Sequence, residues 1–102
     1  MTANPDHIAV RVVVHGRVQG VWYRGWAIDQ ARARGLAGWV RNRRTGTVEA
    51  LLIGPPEAVN EMIEACRSGP VAARVKQIEE HPAGEDEVAG AAVAGFDQRP
   101  TL

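Results

Sequence analysis

The apolar residues of this chain repeat with two different periods, and the order in which those periods alternate restricts the folds that it can adopt. Near the N-terminus every second residue is a branched apolar residue, as in a half-buried strand: Ile8, Val10, Val12 and Val14. Between residues 58 and 66 apolar residues recur every three or four positions, which is typical of a helix that packs on a core. The chain therefore combines strands and helices.

Glycine and proline residues divide the chain into further segments of the same two kinds. A first helix is predicted over residues 23–34, where Gly35 ends it, and the second helix ends at Gly69. Residues 82–92 are acidic and rich in Gly and Ala, which predicts a loop, and residues 93–99 are compatible with a last strand. Three other segments have the pattern of strands: residues 36–42, 47–53 and 72–79.

The predicted order of these elements is β-α-β-β-α-β. Two split β-α-β units of this kind form an antiparallel sheet with both helices on one face, the ferredoxin-like sandwich, so the fold class is α+β. The strand at 72–79 is less regular, because Val75 and Ile78 fall on opposite faces of a simple alternation. A length of 102 residues suits one domain, which we place at residues 8–99 after a flexible N-terminus at residues 1–7.

The charge balance argues against a partner that is held by bulk charge. The chain has 12 basic and 12 acidic residues, so its net charge is zero, unlike that of a nucleic-acid coat or a membrane-surface protein. Residues 1–50 nevertheless carry 8 basic and 3 acidic side chains, and residues 51–102 carry 4 and 9. All but one of the basic residues are arginines, whose planar guanidinium group matches phosphate and carboxylate oxygens.

Cysteine and histidine are too few for a disulfide framework or a zinc site. The one cysteine, Cys66, falls on the apolar face of the second helix, where we expect an inert packing residue, and His7, His15 and His81 are scattered. No apolar run reaches the roughly 18 residues that a membrane span needs, and the N-terminus lacks the pattern of a secretory signal. We expect a cytoplasmic protein with no metal, no cofactor and no membrane association.

The most informative stretch is HGRVQGVWYR, at residues 15–24. Gly16 and Gly20 bracket a short loop between the first strand and the first helix, and glycines let successive N–H groups turn inward around an anion. The helix N-terminus adds partial positive charge, and Arg24 in the first turn can bind phosphate oxygens in pairs. The spacing fits neither a Walker loop nor a dinucleotide fingerprint. On these residues alone, a phosphoryl site and an ordinary connection with a solvated Arg24 both stay open.

A second motif, GLAGWVRN at residues 35–42, is followed by GTVEA at residues 46–50. Together with HGRVQGVWYR it resembles the acylphosphatase family, from about Val10 to Val75, and residues 96–99 are similar to a degraded form of the family's closing strand. The resemblance implies a ferredoxin-like fold and hydrolysis of the carboxyl-phosphate anhydride of small-molecule acyl phosphates. It also implies a monomer that acts without a metal, a cofactor or nucleic acid.

The resemblance also implies roles for individual residues. Arg24 matches the arginine that binds the phosphoryl group, and Asn42 matches the asparagine that positions the attacking water. The leaving group is a carboxylate, so no strong protein acid is needed, and positioning and charge stabilisation dominate. The proton of the water then goes to an oxygen of the substrate's own phosphate. Six residues match the phosphate cradle: Gly16, Arg17, Val18, Gln19, Gly20 and Val21.

Other candidates have simpler interpretations. His15 is the nearest possible base, but it shares strand parity with Arg11, on the face away from the apolar stripe, so we expect a structural or solvent-facing role. The three tryptophans are expected in the core or at its edge: Trp22, Trp26 and Trp39. Four arginines are expected to be solvated charges that at most steer anions: Arg17, Arg41, Arg43 and Arg44.

Three positions depart from the pattern of the family. Ala27 stands where a threonine is common, and the lost hydroxyl is expected to weaken the support of Arg24 and to lower activity. Thr45 replaces an aspartate before the glycine of the turn, which concerns turn stability more than chemistry. Pro100 replaces an aromatic residue that usually closes the last strand.

Two alternative functions remain. One is an RNA-binding module on the same fold, which needs aromatic residues on the exposed sheet face. The exposed positions of the first strand are Ala9, Arg11 and Val13, and only Trp39 of the second strand is a candidate. The other is an acylphosphatase-like domain that has lost activity. The presence of both Arg24 and Asn42 argues against it.

Overall fold

The computed structural model describes residues 7–91 and 95–102. The predicted flexible N-terminus therefore lies outside the described residues except for His7, as do residue 92 of the predicted loop and residues 93–94 of the predicted last strand. The elements in chain order are β1 (Ile8–Arg17), α1 (Tyr23–Ala33), β2 (Ala37–Asn42), β3 (Val48–Gly54), α2 (Pro56–Ser68), β4 (Arg74–Pro82), α3 (Glu85–Gly90) and β5 (Phe96–Gln98).

The five strands form one sheet in the order β4-β1-β3-β2-β5. β1 pairs antiparallel with β3 and with β4, and β2 pairs antiparallel with β3. These four strands and the two long helices confirm the predicted ferredoxin-like α+β fold. β5 differs, because it runs parallel to β2, with Phe96 opposite Gly38. The sheet is therefore mixed, and the prediction of a purely antiparallel sheet is wrong at this edge.

β4 and β5 lie at opposite edges of the sheet, and described residues between them pack on one of its faces. Ala83 and Ala91, on either side of α3, pack against Trp39 and Leu51 on the face opposite α1 and α2. The segment predicted to be a loop thus contains a short helix. Its first turn holds three acidic residues, which the positive end of the helix dipole stabilises.

The main core lies between the sheet and the two long helices. Alternate strand residues and one stripe of each helix meet there, as the two periods predict. Its fully buried members include Val12, Val14, Val40, Leu52, Ala31, Val59, Met62 and Phe96. Cys66 is buried among them, and burial raises the pKa of its thiol to about 11. The expectation that Cys66 packs in the core is confirmed, and its inertness stays a prediction.

A bulge in β4 explains why its sequence looks irregular. The pairing register shifts between His15 and Gly16 of β1, and Lys76 of β4 is left without an opposite residue. One extra residue reverses the alternation of side chains beyond it. Val75 and Ile78 therefore both pack against the main core, and the prediction that they face opposite sides is wrong.

Candidate active site

A cavity of about 220 Å³ lies where the β1–α1 loop, the N-terminus of α1 and the end of β2 meet. Five of the predicted site residues line it: Val18, Gln19, Gly20, Arg24 and Asn42. The other three predicted residues, Gly16, Arg17 and Val21, are not among its lining residues. The structure thus brings together residues from the two sequence motifs, which lie about 20 positions apart in the chain.

The loop is held by its valines and shaped by Gly20. The side chains of Val18 and Val21 are buried in the main core, which fixes the backbone between them. Gly20 has a φ of +74°, and a Cβ there would meet no other atom within 4 Å. The left-handed backbone conformation, rather than tight packing, therefore favours glycine at this position.

Gly16 belongs to β1 and not to the loop. The strand continues to Arg17 because both residues still pair with β4. Gly16 has a φ of +126°, and a Cβ there would lie 2.1 Å from the carbonyl oxygen of Arg74. The prediction that Gly16 opens the loop is therefore wrong: this glycine permits the close approach of two strands at the bulge.

The amide of Gln19 fastens the loop to the turn between β2 and β3. Its Nε2 donates hydrogen bonds to the carbonyl oxygens of Arg43, at 2.7 Å, and of Thr47, at 2.8 Å. The turn is itself closed by a bond from the Arg43 N–H to the same Thr47 oxygen, at 2.9 Å. Because this turn begins directly after Asn42, these hydrogen bonds fix the position of the loop relative to Asn42.

The first turn of α1 presents unpaired N–H groups to the cavity. The first hydrogen bond of the helix runs from the N–H of Trp26 to the carbonyl oxygen of Trp22, at 3.0 Å. The N–H groups of Tyr23, Arg24 and Gly25 precede it and have no acceptor within the helix. No side chain of the described residues caps this end, and no acidic residue lies in its first turn. All three residues line the cavity, so their donors and the helix dipole favour an anion there.

Arg24 and Asn42 both have unused hydrogen-bonding capacity at this cavity. Within residues 7–91 and 95–102 no carboxylate pairs with Arg24, whereas three arginines elsewhere in the sheet share one buried glutamate. The Oδ1 atom of Asn42 is buried, and no described residue donates a hydrogen bond to it. A charged donor and an amide without partners thus line one polar cavity, which suits a small anion and a water molecule.

Comparison with known proteins agrees with this geometry. The sequence profile of the acylphosphatase family matches residues 10–97. The chain belongs to the acylphosphatase family. It is therefore an enzyme that hydrolyses acyl phosphates, which confirms the resemblance seen in the two motifs.

Individual acylphosphatases are similar over most of the chain. The acylphosphatase of Rhizorhabdus wittichii is 48% identical over 98 residues, which cover 96% of this chain and 94% of the relative. That of Azorhizobium caulinodans is 63% identical over 71 residues, covering 70% and 76%. The crystal structure of acylphosphatase from Bacillus subtilis superposes with a TM-score of 0.78 at 36% identity, over 90% of this chain and 98% of that one.

Four residues of the acylphosphatase cavity were not predicted from the sequence: Trp22, Tyr23, Gly25 and Gln98. Tyr23 is buried, and its hydroxyl donates to the carbonyl oxygen of Cys66 at 2.6 Å, which ties α1 to α2. Burial raises the pKa of Tyr23 far above its ordinary value, so the hydroxyl keeps its proton. Gln98 lies two positions after the buried Phe96 in β5 and so shares its face of the sheet. The two-residue spacing could have indicated that Gln98 faces the cavity side of the sheet. That inference needs the position of β5 in the sheet, which the sequence does not provide.

On the opposite face of the sheet, three arginines surround Glu49. This carboxylate is 4% exposed and accepts from Arg41 at 2.7 Å, from Arg11 at 3.0 Å and from Arg43 at 3.2 Å. Burial opposes ionisation of Glu49, but the hydrogen bonds and charges of Arg41 and Arg43 outweigh it and lower its pKa. The prediction that Arg41 and Arg43 are merely solvated is therefore wrong. Arg17 and Arg44 are exposed, as expected.

His15 lies on this opposite face and not at the cavity. Its Nε2 contacts the carboxylate of Glu79, and that hydrogen bond holds the pKa of Glu79 below its ordinary value. The expectation that His15 faces away from the apolar stripe is confirmed. Within the described ranges, no cluster of three or more His, Cys, Asp or Glu side chains suits a metal ion, and no helix is long and apolar enough to cross a membrane.

The structure shows the surroundings of two of the three departures from the family pattern, Ala27 and Thr45. Ala27 is buried in the main core. Thr45 is exposed in the turn after β2, where its hydroxyl shares a hydrogen bond of 2.9 Å with that of Thr47. The lower activity expected from Ala27 stays a prediction.

Proposed function

We propose that acyl phosphates are hydrolysed in the cavity between the loop, α1 and Asn42. The phosphoryl group is bound by the Arg24 guanidinium and by backbone N–H groups of the loop residues at the cavity, Val18 to Gly20, and of the first turn of α1. One observation carries the proposal: a guanidinium group, three helix N–H groups and the Asn42 amide, all without partners in the described residues, converge on one cavity. The N–H donors of Arg24 and of the first turn of α1 fit a phosphoryl dianion, whereas the Oδ1 atom of Asn42 is an acceptor and fits the O–H of a water molecule.

In the proposed reaction, Asn42 holds a water molecule in line with the bond that breaks. The oxygen of this water bonds to phosphorus while the bond from phosphorus to the acyl oxygen breaks, and the carboxylate leaves with the bonding electrons. Arg24 and the N–H groups stabilise the charge that develops on the equatorial oxygens. The proton of the water passes to a phosphoryl oxygen of the substrate, so the products are a carboxylate and inorganic phosphate.

The lining of the cavity supports a reaction that uses neither a protein base nor a metal. Among the described residues, no carboxylate and no imidazole lines it. Tyr23 is its one titratable group besides Arg24, and its hydroxyl is engaged with a backbone carbonyl. A divalent cation prefers oxygen ligands such as carboxylates, which this lining does not offer. Charge neutralisation therefore falls to Arg24 and the backbone.

The decisive test is the hydrolysis of benzoyl phosphate by the purified protein in the presence of a chelator. We expect turnover that the chelator does not reduce and that inorganic phosphate inhibits competitively. Turnover that requires an added divalent cation would contradict the proposal. The absence of any turnover in a folded sample would contradict it as well.

The alternative of an RNA-binding module finds less support. Trp39, its one aromatic candidate, is 6% exposed. The guanidinium carbons of Arg41 and Arg99 lie 4.6 and 5.2 Å from the centre of its ring, so its face is already occupied. We propose a cytoplasmic monomer that acts on a small molecule and binds no nucleic acid.

A further inference from the structure

Trp22 places a large apolar surface at the edge of an otherwise polar cavity. It lines the cavity together with Arg24 and Asn42, yet 64% of its surface is exposed. Trp26 and Trp39 pack against the two cores, as expected for tryptophans. The expectation that Trp22 also lies in the core or at its edge is wrong. A solvent-exposed indole beside a phosphoryl site needs another explanation.

The backbone of Trp22 is held in an unfavourable conformation. Its φ is +66° and its ψ is +24°, in the left-handed region, and no other described residue except glycine has a positive φ. This conformation costs a residue with a side chain about 1 kcal/mol or more, and such strain persists where the surrounding structure imposes it, often at functional sites. Here it directs the indole toward the cavity side of α1.

The indole of Trp22 packs against the backbone of Gly25, in the space that a side chain at this position would occupy; we call this position the seat of the indole. A Cβ at Gly25 would lie 2.1, 2.6 and 2.8 Å from Nε1, Cε2 and Cδ1 of Trp22. These three atoms belong to the five-membered ring, so that ring lies directly on the Gly25 backbone. A side chain at position 25 would displace the indole, so glycine at this position permits the ring to lie next to Arg24.

We propose that Trp22 binds the acyl group of the substrate and favours acyl phosphates with a planar, apolar acyl group, such as aroyl phosphates. The proposal rests on the proposed function. When Arg24 and the N–H groups hold the phosphoryl group, the acyl group must extend from it within reach of the cavity edge. Gln98 is the other exposed residue among the unpredicted lining residues, and its side chain ends in a polar amide. An aromatic ring that packs against an aromatic acyl group gains about 0.5–1.5 kcal/mol beyond the area that it buries.

The test compares benzoyl phosphate with acetyl phosphate, which carry the same phosphoryl group on an aromatic and on a minimal acyl group. We expect the ratio of their kcat/KM values to fall about tenfold in Trp22→Ala, mainly through a higher KM for benzoyl phosphate. Trp22→Phe keeps an aromatic ring and should lose less. Inhibition by inorganic phosphate, which has no acyl group, should change less than the KM for benzoyl phosphate.

Two further variants separate an acyl subsite from a structural role. Gly25→Ala keeps Trp22 but pushes the indole from its seat, and it should lower the same ratio. Val71→Ala removes an apolar side chain that is 98% exposed between α2 and β4, and it should leave the ratio unchanged. An unchanged ratio in a folded Trp22→Ala protein would overturn the inference while the proposed function stands. If the unmodified protein hydrolyses neither substrate, the proposed function itself fails.

Discussion

The side-chain amide of Gln19 donates a hydrogen bond to the carbonyl oxygen of Thr47 across 2.8 Å. This bond joins the loop between β1 and α1 to the turn that follows β2. The second bond of the same amide, to the carbonyl oxygen of Arg43, reaches the residue directly after Asn42. Gln19 thus sets the distance between the loop and Asn42 without providing a charge to the cavity.

Replacing Gln19 should lower kcat more than it weakens the binding of inorganic phosphate, because Gln19 positions the loop relative to Asn42. Gln19→Leu removes two hydrogen bonds, which together contribute about 1–3 kcal/mol to stability. We expect a lower Tm and a kcat reduced about tenfold, since small displacements of a positioned group are costly for turnover. Steady-state kinetics with benzoyl phosphate and the Ki of inorganic phosphate separate the two effects.

Thr45→Ala is the matched control for this variant. It alters the same turn but removes only an exposed bond between two hydroxyl groups. Its kcat should stay close to that of the unmodified protein. If both variants lose kcat equally, general loosening of the turn is responsible and Gln19 has no special positioning role.

Arg24→Ala should nearly abolish hydrolysis without unfolding the protein. The guanidinium has no carboxylate partner in the described part of the chain, so its removal breaks no ion pair there. Other arginines that clamp a phosphoryl group contribute on the order of a thousandfold or more to kcat. We expect a loss of that size with a Tm within a few degrees of that of the unmodified protein, measured by benzoyl phosphate hydrolysis and thermal unfolding.

Arg44→Ala, at an exposed arginine outside the cavity, is the control and should remain active. Full activity in Arg24→Ala would refute the proposed role.

Asn42→Ala should separate activity from stability. Its Oδ1 receives no hydrogen bond from the described residues, so removing the side chain breaks no such bond. The free energy of unfolding should therefore change by less than about 1 kcal/mol. Turnover should fall about a hundredfold or more, because the water loses its positioning group. Urea denaturation and steady-state kinetics measure the two quantities. A variant that is both active and less stable would show that Asn42 is a structural residue.

The sequence predicted the parts of the fold that depend on local pattern. The alternation around Val12 and the helical spacing around Met62 each follow from one element, and so do the two motifs that contain Arg24 and Asn42. The bulge at Lys76 was missed because it depends on how β1 and β4 meet, which local alternation does not encode. The direction of β5 was missed for the same reason, since it depends on how β5 pairs with β2.

The residues around the site show the same limit. Glu49 and Arg41 are directly opposite each other in β3 and β2, so their pairing requires the register of the hairpin. The orientation of Trp22 depends on a left-handed φ and on the seat at Gly25. A tryptophan in an apolar stretch is more often buried than exposed. The residue type therefore predicted a buried Trp22, whereas the structure shows it exposed.

Glu49→Gln tests the buried carboxylate on the opposite face of the sheet. The substitution leaves three guanidinium groups around a neutral amide, and breaking such a buried arrangement costs about 3 kcal/mol. Glu64→Gln removes an exposed partner of Arg67 and should cost less than about 0.5 kcal/mol, so it serves as the control. Chemical denaturation at neutral pH measures both. Equal stability of the two variants would show that the cluster around Glu49 contributes little.

The same carboxylate makes stability depend on pH in a defined direction. The pKa of Glu49 is lower in the folded protein than its ordinary value of 4.5, so the folded state holds the ionised form more strongly than the unfolded state does. Its contribution is therefore complete above pH 4.5 and is lost as the pH falls through the lower pKa of the folded state. In Glu49→Gln this contribution is absent at every pH. The difference in unfolding free energy between the two proteins should thus be constant near neutral pH and should shrink on acidification below pH 4.5. Denaturation curves recorded between pH 7 and pH 3 measure this difference, and a difference that grows as the pH falls would contradict the assignment.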